Sequence, residues 1–141
     1  LRSKSDIRFY HCSHPNMSLA QPWTLGWFVD FEDGDEISHV VGSGKQKPNP
    51  QPSWKKFWLA HSGQQWPDTC RIWQCGNPIN TTATPGVGAH IYIKKQGLQQ
   101  NFILPTCNSC NQDHRYFYGN GYCSLNVGAR AVWVDRDPNT F

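Results

Sequence analysis

The sequence predicts a small, strand-rich α+β domain organised round a zinc unit, with an N-terminal extension that contains β structure. Three observations predict it. Glycine and proline are frequent, with 12 Gly and 10 Pro in 141 residues, which favours turns and short strands over long helices. Short segments of alternating apolar residues recur along the chain. Four of the six cysteines fall into two tight spacings, Cys70-x4-Cys75 and Cys107-x2-Cys110. The length suits one domain and can bury a core unaided.

The division expected is an extension over residues 1–52 and a zinc-stabilised unit over 53–141, the two forming one compact body. Residues 1–20 are polar and carry little pattern. Trp23, Leu25, Trp27 and Val29 alternate as a half-buried strand does, with Phe28 on the other face. Glu36 to Val41 reads as a second strand, and Asp33-Gly34-Asp35 as the hairpin turn between the two. Gly42 to Pro52 is a loop rich in Gly, Lys, Asn and Pro.

Ser53 is placed to cap a helix in which Trp54, Phe57, Trp58 and His61 share one face, with Gly63 as its stop. That aromatic stripe reads as core. Ala89 to Lys94 reads as a strand with His90, Tyr92 and Lys94 on one face and Ile91 and Ile93 on the other. Lys95 to Gln100 should turn, Phe102 to Leu104 should return, and Pro105 should end that strand. A short helix is expected from Asn108 through His114, a turn at Asn120-Gly121, and a closing strand over Ala129 to Val134.

Zinc takes thiolates tetrahedrally, and cysteines two to four residues apart in a tight turn can aim two sulfurs at one ion. Here 31 residues separate two such turns, Cys75 from Cys107, with a strand-turn-strand pattern between them. Cys70, Cys75, Cys107 and Cys110 are therefore the candidate ligands of one structural zinc. Disulfides are the alternative for these four, and a bridge is the simpler account of Cys12 and Cys123. His11, Cys12 and His14 form a further small cluster near the N-terminus.

Net charge is +3, which permits DNA or RNA as a partner without requiring either. No apolar run reaches membrane-spanning length. The seven Trp, seven Phe and five Tyr suggest a protein partner met through the Trp-rich N-terminal half. The chain opens at Leu1 and contains two glycosylation triplets, Asn16-Met17-Ser18 and Asn80-Thr81-Thr82, which together point towards a secreted mature protein.

The segment Cys70-x4-Cys75, then Gly88-Ala89-His90-Ile91, then Phe102 through Cys107-Asn108-Ser109-Cys110-Asn111 resembles the ββα-metal core of HNH (His-Me finger) endonucleases in their zinc-bound, treble-clef form. The resemblance covers residues 70 to about 115. It implies a treble-clef fold for that unit and hydrolysis of nucleic-acid phosphodiesters. His90 would act as the general base, and Asn111 would hold a catalytic Mg or Mn ion. The sequence departs from the family at Ala89, where many members carry a metal-binding Asp or His, and at Phe102, where the family's middle Asn would align; Asn101 stands one residue earlier. The other function compatible with the same residues is a non-catalytic recognition or effector protein, stabilised by zinc or by disulfides, that uses an aromatic-rich surface.

Overall fold

The computed structural model describes residues 26–32, 35–40, 46–112, 123–124 and 128–134, with the backbone alone at 97–99 and 123–124. Six strands and two helices run through these residues: β1 (Phe28–Asp30), β2 (Glu36–His39), α1 (Trp54–Ser62), β3 (Val87–Ile93), β4 (Gly97–Thr106), α2 (Asn108–Gln112), β5 (Cys123–Ser124) and β6 (Arg130–Val134). The strands form a single sheet in the order β1-β6-β4-β3-β2-β5, antiparallel throughout.

This corrects the α+β treble-clef expectation. Among the described residues the domain is a β structure carrying one nine-residue helix, and the helix after the second knuckle has five residues. A treble clef or ββα unit rests its knuckles on a substantial helix; here they rest on the end of a long strand pair.

The β1–β2 hairpin expected from Asp33-Gly34-Asp35 is also replaced. β1 pairs with β6, placing Val29 opposite Ala131, while β2 pairs with β3 and β5. Strands from both sides of position 52 thus share one sheet. The Lys95 ammonium reaches the Asp35 carboxylate at 3.0 Å and ties the turn after β3 to the start of β2. Trp23 and Leu25, expected in the first strand, lie outside the described residues.

The hairpin β3–β4 is the centre of the fold. Ala89 faces Leu104, His90 faces Ile103, and Ile91 faces Phe102. β4 is longer at both ends than its apolar run suggests, and Pro105 does not end it. The reason is geometric. The Pro105 carbonyl accepts the Arg71 N–H at 3.2 Å. In an antiparallel ladder a residue's carbonyl and N–H point to the same side, so the missing proline N–H falls on the side away from β3.

α1 forms as its sequence predicts. The Ser53 hydroxyl accepts the Lys56 N–H at 3.1 Å, and Gly63 closes the helix at φ 70°. Phe57 and Trp58 are buried, and the Trp58 indole donates to the Arg130 carbonyl at 3.0 Å. The helix packs on the sheet face that carries Gly88 and His90. Ile91, Ile93, Phe102, Leu104 and Ala131 alternate onto the other face and are also buried. Arg130 fastens the end of the sheet with a two-pronged bond to Asp30, at 2.6 and 2.8 Å, and a third bond to the Ser62 carbonyl at 2.6 Å.

Candidate metal centre

The first knuckle is a small hairpin. Cys70 donates its N–H to the Asn77 carbonyl at 2.8 Å, Ile79 donates to the Asp68 carbonyl at 2.9 Å, and Thr69 bridges Pro78. Between these arms the chain turns through Ile72 to Cys75, closed by Cys75 N–H to Ile72 carbonyl at 3.1 Å. Two left-handed residues, Gln74 at φ 64° and Gly76 at φ 71°, make that turn tight enough to bring Cys75 back towards Cys70. Buried Ile72 anchors the turn from inside, while Trp73 stands 54% exposed at its tip.

The second knuckle joins β4 to α2. Cys107 follows the last residue of the strand, and Asn111 N–H donates to the Cys107 carbonyl at 3.0 Å as the first turn of α2 forms. That turn buries Cys110. The Arg71 N–H to Pro105 carbonyl bond holds one knuckle against the other.

The four thiols meet. Their sulfurs all lie within 4.8 Å of one another, with Cys75 Sγ 3.7 Å from Cys107 Sγ and 3.6 Å from Cys110 Sγ. A tetrahedron of Zn–S bonds near 2.3 Å has edges of roughly 3.8 Å, whereas a disulfide needs a separation near 2.05 Å. All four are free thiols, and the cluster can hold a metal ion such as zinc.

Peptide and amide N–H groups point at the sulfurs. Cys70 Sγ accepts from Cys107 N–H at 3.3 Å; Cys107 Sγ accepts from Cys110 N–H and from the Asn77 amide, each at 3.4 Å. Burial pushes the Cys70 thiol up to about 12, against the pull of the Ile72 and Cys107 N–H groups. Burial likewise raises Cys110. At Cys107 burial also acts upward, but hydrogen bonds from Cys110 N–H, Asn77 and the neighbouring thiols outweigh it and bring the group down to about 7. A divalent cation would supply the positive charge that four thiolates packed this closely require.

His90 and Asn111 fare differently. His90 is 4% exposed, its ring against the edge of Trp54 with centroids 4.4 Å apart. Burial, with a smaller push from His39, lowers it to about 4. Asn111 is half-buried in α2. In register, Asn101 and not Phe102 shares the face of His90, because Ile103 lies opposite His90 and side chains alternate along β4. Asn101 is buried beside Val134. Ala89 lies opposite Leu104 on the other face and is buried.

Among the described residues most aromatic side chains are buried or packed against the core. Trp58, Trp66 and Trp133 are buried, Trp27 packs on Phe102, and Trp54 packs on Phe57 and His90. Among the described residues the large hydrophobics left exposed are Phe28 and Trp73. Asn80 of the second glycosylation triplet sits on an exposed loop. Asn16, the His11–His14 cluster, Cys12 and His114 lie outside the described residues, as does the side chain of Cys123.

Asn77 is a residue of this centre that the sequence did not reveal. It reaches across 30 positions to Cys107, and no spacing rule marks it. No helix among the described residues is long and apolar enough to cross a membrane. Compared with known protein families, with curated proteins and with solved structures, the chain matched none.

Proposed function

We propose that this protein is a non-catalytic binding module whose four cysteines hold one structural zinc ion. The observation that carries the reading is the meeting of Cys70, Cys75, Cys107 and Cys110 within 4.8 Å. Four protein donors complete the tetrahedron of zinc and leave no position for water or substrate, which is the arrangement of structural rather than catalytic sites. The ion would join the first knuckle to the end of β4 and so fix the edge of the central hairpin.

The competing reading is Mg- or Mn-dependent cleavage of DNA or RNA through His90 and Asn111. The order β3, β4, α2 and the position of Asn101 on the face of His90 favour it. Burial argues against it. A general base must come within hydrogen-bond reach of the water it deprotonates, and His90 lies beneath Trp54 at 4% exposure.

The test is cleavage of single- and double-stranded DNA and RNA by zinc-loaded protein in Mg²⁺ or Mn²⁺. The expected result is no cleavage above that of His90→Ala. Cleavage by the native protein that disappears in His90→Ala, with zinc content retained, would overturn the reading.

A further inference from the structure

We propose that Asn77 is a positioning residue of the metal centre, clamping the two knuckles together and setting the electron richness of the Cys107 sulfur. The inference rests on the reading of the four cysteines as a zinc site.

Asn77 does two things at once. Its main-chain carbonyl accepts the Cys70 N–H at 2.8 Å, which fixes the first arm of the first knuckle. Its side-chain amide donates to Cys107 Sγ at 3.4 Å, in the second knuckle. One residue therefore touches a ligand from each half of the site. The hairpin supplies the reason for its reach: Gly76, at φ 71°, turns the chain immediately before it, and the Thr69–Pro78 bridge immediately after it holds that turn.

The chemistry is that of a crowded dianion. Zinc with four thiolates carries two net negative charges, spread over sulfurs that donate strongly to the metal. An N–H aimed at one sulfur withdraws density from it and weakens its repulsion of the other three. Cys107 Sγ accepts two such bonds, from Cys110 N–H and from Asn77. The first is a main-chain N–H, which any substitution short of proline leaves in place. The second is a side chain, so Asn77 is where the sequence adjusts the site.

Partners of this kind change metal affinity by roughly 10–100-fold. Asn77 is exposed, so the lower end of that range is expected for Asn77→Ala. Asn77→Asp keeps the shape, loses the donor and sets a carboxylate beside the thiolate, so its loss should be larger. Both variants keep the main-chain carbonyl and with it the bond from Cys70.

The experiment measures zinc affinity of the full chain by competition with a chromophoric chelator, and records the sulfur-to-cobalt charge-transfer band after replacing zinc with Co²⁺. The expected result is about tenfold weaker zinc binding in Asn77→Ala, a larger loss in Asn77→Asp, and a shifted band in both. Native affinity in both variants would overturn the proposal, as would weakened affinity with an unmoved band, which is what a purely structural role gives. If the native chain binds neither ion through four thiolates, the zinc reading falls as well. Native binding with unaffected variants removes the role of Asn77 alone.

Discussion

His90 shows how a single burial decides between two chemistries. The imidazole that pattern places on an open strand face lies instead under Trp54, because α1 covers that face. Its proton affinity is held down to about 4, chiefly by burial. In the unfolded chain histidine protonates near 6.5. Between these values the unfolded state binds more protons, so stability is whole above about 6.5 and is lost as pH falls towards about 4. The complete effect is roughly 3 kcal/mol. Urea unfolding of zinc-saturated protein at a series of pH values checks this. The native protein should lose stability more steeply between pH 6.5 and 5 than His90→Gln, which cannot take the proton. Parallel curves would remove His90 as the source.

The four cysteines were legible at this same scale, because ligand spacing is local: two sulfurs per turn is a property of four to six residues. Asn77 was not, since its partner lies in the other knuckle. The face that Asn101 takes was not legible for a related reason: it follows from the pairing of His90 with Ile103, which neither strand states alone.

The elements divide along a similar line. α1 was readable because its cap, its stop and its stripe all lie within eleven residues, Ser53 to Gly63. The alternation of β3 was readable for the same reason. Strand partners were not. β1 joins β6 with 100 positions between Asp30 and Arg130, and nothing within either three- to five-residue segment names the other. A turn signal after β1 made the nearest strand seem its natural partner, and tertiary packing chose another. β5 is two residues long, too short to carry any period.

The contact between α1 and β3 has its own consequence. A Cβ at Gly88 would stand 2.8 Å from the Trp54 carbonyl carbon, 2.9 Å from its oxygen and 2.8 Å from Ile103 Cγ2. Two of these are main-chain atoms that cannot swing aside, so the helix itself would have to lift. Gly88→Ala is expected to cost about 1–3 kcal/mol, read as a fall of several degrees in the thermal midpoint. An unchanged midpoint would mean that α1 does not press on the strand as closely as these distances require.

For the molecule as a whole, the sheet explains why the knuckles sit where they do. β4 is central, flanked by β3 and β6, and its backbone is held on both sides at Phe102 and Ile103. It delivers Cys107 immediately after its last residue, Thr106, and accepts the first knuckle through the Pro105 carbonyl. A rigid strand end thus supplies half of the ligand set, and a hairpin docked on it supplies the rest. The nine-residue helix and the sheet can bury the core of Phe57, Trp58, Ile91 and Phe102 without a metal, but the knuckle turn encloses little besides Ile72 and Ile79. That turn is the part whose order an ion would secure.

The most direct measurement is the metal content of the purified full chain, by elemental analysis, beside that of Cys110→Ser. The account predicts one zinc per native chain, retained through gel filtration, and a fall well below one in the variant. A native chain without stoichiometric metal, in which Cys70, Cys75, Cys107 and Cys110 are joined as disulfides, would contradict it.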